Sequence, residues 1–176
     1  MAKDRVWAVV PIKSFADAKS RLAPVLGQAL RRGLASLMAE RVLKATLASP
    51  EIAQTLVVTA DPDAQRLAAS LGAVCCLMDG DHGVNAAVEA GFREARQHCE
   101  TVLILPSDVP LAGPEDLARL LSPRGRETTV RIVADKAGRG TNALSIPSAA
   151  DFAFRFGTDS ASAHAESAGM AGLRAE

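Results

Sequence analysis

The sequence predicts an α/β protein: a mixed, mostly parallel sheet with helices on both faces. Three observations predict it. Short apolar runs alternate with stretches of helical periodicity along the chain, the pattern of a sheet sandwiched by helices. Val102-Leu103-Ile104-Leu105 is an unbroken apolar run, the mark of a central strand buried on both faces. Polar, turn-rich loops follow these runs, and the C-terminal ends of such strands are where open α/β sheets bind ligands.

The first strand is Val6 to Val10, stopped by Pro11. A loop follows with Lys13, Lys19 and Arg21, and with the hydroxyls of Ser14 and Ser20. Leu30, Leu34, Leu37, Met38, Val42 and Ala45 then fall at helical spacing, predicting a helix from about Gln28 to Ala48. Ser49-Pro50 stops it. Leu56-Val57-Val58 is a β-branched strand. Asp61-Pro62 reads as an N-cap followed by proline at the first helical position. Leu67, Ala68 and Leu71 face that helix inward, and Gly72 ends it.

Ala73 to Met78 reads as a third strand, and Asp79-Gly80-Asp81-His82-Gly83 as a turn-rich loop. Ala86 to His98 is helical, with Val88 and Phe92 on one face. Val102–Leu105 is followed by Pro106-Ser107-Asp108-Val109-Pro110, and a short helix follows Pro114 through Leu117, Leu120 and Leu121. Thr128 to Ala134 is a strand, Asp135 to Gly140 a polar loop, and Thr141 to Ile146 a last apolar segment. The Asp135–Gly140 connection is too short for a crossover helix. The two strands either pair antiparallel or the second leaves the sheet edge. Ser160 to Ala168 reads as a final helix, and the small, polar last dozen residues are expected to fray.

Composition narrows the function. With 176 residues the chain is expected to form one domain, residues 1–176. Apolar residues make up 48% and charged residues 23%, enough for a real core. A formal net charge of +0 argues against a general nucleic-acid binder, and 3% aromatics against stacking platforms for single strands. Neither excludes a local cationic pocket for a small anion. No apolar run is long enough to span a membrane. Lys3-Asp4-Arg5 leads straight into a strand, so no signal peptide is expected. Cys75, Cys76 and Cys99 have no zinc spacing and read as thiols in a reducing cytoplasm. Small-molecule substrates are therefore the expected partners, with no nucleic acid and no membrane, and a homo-oligomer is left open.

Four places carry chemistry. Lys13, Lys19 and Arg21, with loop N–H groups, suit a polyphosphate; the plain alternative is a solvated basic loop. Asp108 stands just after the most apolar strand, between two prolines. It suits Mg²⁺, which is held by one or two carboxylates plus phosphates and water; the alternative is a helix cap. Gly83-Val84-Asn85 enters a helix. Gly83 lets backbone approach a ligand, Asn85 offers donors and an acceptor to a base edge, and an ordinary N-cap is as good a reading. Gly138-Arg139-Gly140-Thr141-Asn142 and Phe156-Gly157-Thr158-Asp159-Ser160 are a glycine-flanked turn and a helix entry. The free N–H groups of that entry suit a phosphate or carboxylate, with His164 able to reach the same anion; a tight turn, simple N-capping and, for His164, a partly exposed surface histidine are the alternatives. His82, His98 and His164 have no metal spacing. No G-x-S-x-G, P-loop or Rossmann glycine pattern occurs.

Taken in order, these segments resemble one family, the 2-phospho-L-lactate or phosphoenolpyruvate guanylyltransferases of coenzyme F420 biosynthesis. The matching stretches are VPIKSFADAKSRL, VVTAD, GVNAAVEAG, LPSDVP, GRGTNAL and FGTDS with the following His164. They span Val6 to His164. The resemblance implies a nucleotidyltransferase fold of the glycosyltransferase-A type, with GTP as co-substrate and Mg²⁺ as cofactor. It implies GMP transfer to a small phosphorylated carboxylic acid (2-phospho-L-lactate, phosphoenolpyruvate or 3-phosphoglycerate) with release of pyrophosphate. By that likeness Lys13, Lys19 and Arg21 hold the triphosphate, Asn85 the nucleoside, Asp108 the metal, and Thr141, Gly157 and Ser160 the phospho-acid. The family's second, C-terminal metal carboxylate has no match in Ala168–Glu176 and is not carried over. Two other readings stand beside it. One is a different nucleotidyltransferase of the same fold, such as a molybdopterin guanylyltransferase; the other is a non-catalytic nucleotide-binding protein.

Overall fold

A computed structural model describes residues 6–122 and 127–176. Lys3-Asp4-Arg5, read above as the polar lead into the first strand, lie outside the described residues. Strands and helices alternate through β1 (Val6–Pro11), α1 (Gln28–Ala48), β2 (Ile52–Thr59), α2 (Pro62–Leu71), β3 (Val74–Leu77), α3 (Gly83–Ala95) and β4 (Thr101–Ile104). Then come α4 (Pro114–Leu120), β5 (Thr129–Ala134), β6 (Thr141–Pro147), α5 (Ser160–Met170) and β7 (Arg174–Ala175). One seven-stranded sheet has the order β3-β2-β1-β4-β6-β5-β7.

The first four strands are parallel, with β1 between β2 and β4. β6 runs antiparallel to β4 and to β5, which settles the two alternatives left by the short Asp135–Gly140 loop in favour of a hairpin. That loop closes on its own carboxylate: Asp135 accepts hydrogen bonds from the backbone N–H groups of Ala137 and Arg139.

The alternation of β1 divides the core in two. Val6, Ala8 and Val10 pack with α1, α2 and α4 through Ala39, Leu43, Ala68 and Leu117. Val9 packs on the other face with α3 and α5 through Val88, Phe92 and Ala168. Period-two side chains on a doubly covered strand require such a division. On the second face α3 approaches closely at Gly91, where a Cβ would lie 2.7 Å from Val58 Cγ2.

Helix ends follow local chemistry. Asp61 caps α2 by accepting from the Asp63 N–H at 2.7 Å, Pro62 opens the helix, and Gly72 closes it at φ +86°. Two sequence expectations need correction. The apolar face of α1 is rotated: Ala35, Ala39, Val42 and Leu43 are buried, whereas Leu30 and Leu37 are 65% and 50% exposed. Small alanines let the helix lie close to its neighbours, so the larger leucines do not mark the buried stripe. The C-terminus also does not fray. Leu173 packs on the second core, β7 pairs parallel with β5, and the Glu176 N–H donates to Val130 O at 3.0 Å.

Candidate active site

The parallel strands deliver their following loops to one edge. There an open cleft of about 780 Å³ is lined by the β1–α1 loop, the start of α2, the β3–α3 loop and Pro106-Ser107-Asp108 after β4. This is the edge at which ligands bind in sheets of this kind. It brings together Lys13, Lys19, Arg21, Gly83 and Asp108, which the sequence marked separately.

The cations do not crowd one another, because acids from other loops separate them. Lys13 Nζ is 3.2 Å from Asp81 Oδ2, and Lys19 Nζ is 3.0 Å from Asp108 Oδ2. The Gly83 N–H bonds Asp81 at 2.9 Å and, with Lys13, holds its carboxyl below the usual range. Among the described residues Arg21 has no ion-pair partner, and it lines the same cleft. Lys19 holds a left-handed backbone at φ 56°, a conformation that disfavours ordinary side chains and marks functional sites.

The cleft also contains groups that sequence reading assigned only a structural role or missed. Asp61 does more than cap α2: its Oδ2 accepts from the Phe15 N–H at 2.7 Å, tying the cationic loop to the end of β2. Arg32 lines the cleft and pairs with Asp63, which also holds Arg66. The N-cap signal at Asp61 was readable in sequence; its reach to Phe15, 46 residues away, was not.

Thr141 and Ser160 form a second cluster apart from this cleft lining, and Gly157, three residues before Ser160 in the chain, does not line the cleft either. Because Ile104 faces Leu144 in the antiparallel β4–β6 ladder, the Thr141 end of β6 lies at the end of β4 from which Asp108 departs. Thr141 Oγ1 and Ser160 Oγ are 3.0 Å apart and buried. Gly157, at φ +144°, has nothing within 4 Å of where a Cβ would stand, so the site there is open and only the backbone conformation calls for glycine.

Asn85 links the two regions. Its Nδ2 donates to Phe156 O at 3.1 Å, and its Oδ1 accepts from the Phe156 N–H at 2.7 Å. Both ends of the amide are thus engaged by the segment leading to Gly157. His164 is neither exposed nor facing an anion. It is fully buried, with Nδ1 3.0 Å from Thr141 Oγ1 and Nε2 accepting from the Arg155 N–H at 3.0 Å. Burial, with the nearby Arg155 cation, pushes its pKa down to about 4.

Among the described residues no three His, Cys, Asp or Glu side chains converge as a metal cage. Asp108 is a solvent-facing carboxylate, 57% exposed, in a cleft lined by four cationic side chains. That donor set fits Mg²⁺ carried in by a polyphosphate, whose own oxygens complete the coordination.

The architecture recurs in solved structures. A protein from Desulfovibrio desulfuricans G20 assigned to the nucleotide-diphospho-sugar transferases superposes with a TM-score of 0.77 at 15% identity, covering 99% of this chain and 79% of that one. A nucleotidyl transferase from Methanothermobacter superposes at 0.61 with 21% identity, covering 82% and 72%. The fold is thus that of the nucleotidyltransferases.

Residues 6–176 match the family described as Guanylyl transferase CofC like, and the chain belongs to that family. Among its curated relatives, the phosphoenolpyruvate guanylyltransferase of Conexibacter woesei is 39% identical over 97% of this chain and 77% of its own length. The 2-phospho-L-lactate guanylyltransferase of Methanothermobacter thermautotrophicus is 34% identical over 96% and 74%.

Proposed function

We propose that this chain transfers GMP from GTP to a small phosphorylated carboxylic acid and releases pyrophosphate, in coenzyme F420 biosynthesis. The observation that carries this reading is the cleft at the sheet edge, where Lys13, Lys19 and Arg21 meet Asp108, with the buried Thr141–Ser160 hydroxyl pair at the same edge of the sheet. The names of the relatives supply the acceptor class: phosphoenolpyruvate or 2-phospho-L-lactate.

Lys13, Lys19 and Arg21 bind the triphosphate, with Gly83 letting backbone come close to it. Asp108 would hold Mg²⁺, which would neutralise charge on the phosphates. A nucleotide entering the cleft breaks the Lys13–Asp81 and Lys19–Asp108 pairs and takes the lysines for its own oxygens. Asp108 is thereby released at the moment its ligand arrives. Thr141, Gly157 and Ser160 hold the acceptor phosphate. An acceptor phosphate oxygen attacks the α-phosphorus in line; a new P–O bond forms, the bond to the β-phosphate oxygen breaks, and pyrophosphate leaves. The acceptor is already an anion, so no general base is needed, and rate comes from alignment and charge stabilisation. For Asn85 a nucleoside contact competes with its two bonds to Phe156, so positioning of that segment is its first role.

Residues 1–176 act as one nucleotidyltransferase domain, a reading supported by the single sheet with a core on each face. No described helix is long and apolar enough to cross a membrane. Cys99 is buried and Cys75 and Cys76 are half-buried, and none of the three is in a disulfide, which suits a cytoplasmic setting.

The direct test is pyrophosphate release from GTP with phosphoenolpyruvate, 2-phospho-L-lactate and 3-phosphoglycerate offered separately. Turnover that requires one of these acids and Mg²⁺ is expected. GTP binding by calorimetry with no pyrophosphate release from any acid would contradict the reading.

A further inference from the structure

We propose that His164 is a positioning residue: buried behind Thr141 and Ser160, it sets their hydroxyl protons so that the pair donates to an oxyanion. The inference rests on the reading of this cluster as the acceptor site.

The backbone N–H of Arg155 donates to His164 Nε2 at 3.0 Å. A backbone amide can only donate, so Nε2 carries its lone pair, and a neutral ring then bears its proton on Nδ1. Nδ1 lies 3.0 Å from Thr141 Oγ1 and must donate to it. Thr141 therefore cannot pass its own proton to the ring. Two hydroxyl protons remain, on Thr141 and Ser160. One closes the 3.0 Å bond between the two oxygens. The other has no acceptor among the described residues, although Ser160 is only 2% exposed. A buried hydroxyl proton without a partner is costly, and a ligand oxygen would relieve it.

The opposite tautomer would reverse this outcome. With the proton on Nε2, Thr141 would donate into the ring, Ser160 would close the bond to Thr141, and the cluster would present only lone pairs. Such a cluster repels a phosphate. The Arg155 N–H thus selects, through the imidazole, a neutral hydroxyl pair that donates.

Packing holds the ring in place. Phe156 meets His164 edge-on with centroids 4.7 Å apart, and Phe152 lies at 5.9 Å. The Arg155 guanidinium is turned to Glu166 at 3.1 Å. The Ala161 N–H, in the first turn of α5, is already given to Arg139 O at 2.8 Å. That leaves the hydroxyls a larger share of anion binding than a bare helix N-terminus would give them.

The test uses the full chain labelled with ¹⁵N-histidine. Long-range ¹H–¹⁵N correlation at neutral pH should give His164 as the neutral tautomer with its proton on Nδ1. Kinetics with GTP and phosphoenolpyruvate should then separate two variants. His164→Leu removes the donor and is expected to raise the acceptor KM about tenfold, leaving the GTP KM and kcat unchanged. His164→Asn keeps an N–H donor near the Nδ1 position and should recover most of that loss. A ring protonated on Nε2, an imidazolium, or an Asn variant no better than Leu would overturn the inference. If His164→Leu does not fold, the tautomer measured in the wild-type chain decides alone. If Ser160→Ala raises only the GTP KM, the acceptor-site reading fails; if it raises the acceptor KM while both His164 variants match wild type, the positioning role alone fails.

Discussion

The cleft and the hydroxyl cluster sit at the same edge of the sheet and are built on opposite principles. The cleft is open and charged, and its cations are held apart by acids on separate loops: Lys13 by Asp81, Lys19 by Asp108. The cluster is uncharged and built from buried groups, Thr141, Ser160 and a neutral His164 packed edge-on against Phe156. A triphosphate brings several negative charges and needs opposite charge to meet it. A single phosphate can be held by oriented neutral donors in a dry pocket, where hydrogen bonds are strong because water is absent. Under the proposed function, the contrast would divide two anionic substrates between two sites and keep the cations for the one that needs them.

The sharpest way to break this division is at Asp108. Asp108→Asn keeps size and leaves the exposed end of β4 folded, yet transfer should fall by about a hundredfold or more, as loss of a key electrostatic group does. Turnover measured across a Mg²⁺ titration, with circular dichroism as the check on folding, decides it. Near-normal turnover with unchanged Mg²⁺ dependence would remove Asp108 from the mechanism.

Arg21→Ala should have a smaller effect. It lines the cleft without an ion-pair partner among the described residues. Losing it is expected to raise the GTP KM about tenfold, the scale of one charge-assisted hydrogen bond, with the acceptor KM unmoved. Equal rises for both substrates would mean that the two sites are one.

The smallest effect concerns pH. His164 has its folded pKa lowered from 6.5 to about 4. Between those values the unfolded chain binds the proton and the folded chain does not, so stability falls as pH drops through this window and is fully present above it. Chemical denaturation from pH 7 to pH 4 should register that loss, and His164→Asn should flatten it. A wild-type profile that matches the variant's would mean that the ring is not held neutral by burial.

Much of this was readable in the sequence, for local reasons. α1 was bounded correctly because Ser49-Pro50 stops it, and α2 because Asp61, Pro62 and Gly72 punctuate it. Lys13, Lys19, Arg21 and Asp108 could be expected in one place because each follows a strand of a parallel sheet, and such strands end together. What was not readable depends on packing between distant segments. The buried stripe of α1 runs through Ala35, Ala39, Val42, Leu43 and Ala45, and Leu30 and Leu37 look outward. β7 reads as a small, polar tail and becomes a strand only because β5 offers it an edge. Asn85 reads as a base-edge group, but its partner, Phe156, is 71 residues away. His164 reads as a surface histidine because nothing in FGTDS and the residues after it announces that Phe152 and Phe156 will cover it.

The division of the two sites is tested most directly by one crossed measurement: KM for GTP and for the acceptor acid, in wild type, Lys19→Ala and Ser160→Ala. Lys19→Ala should raise the GTP KM alone, and Ser160→Ala the acceptor KM alone, each by several-fold or more. If Ser160→Ala raises the GTP KM and leaves the acceptor's unchanged, α5 belongs to the nucleotide site and the division proposed here is wrong.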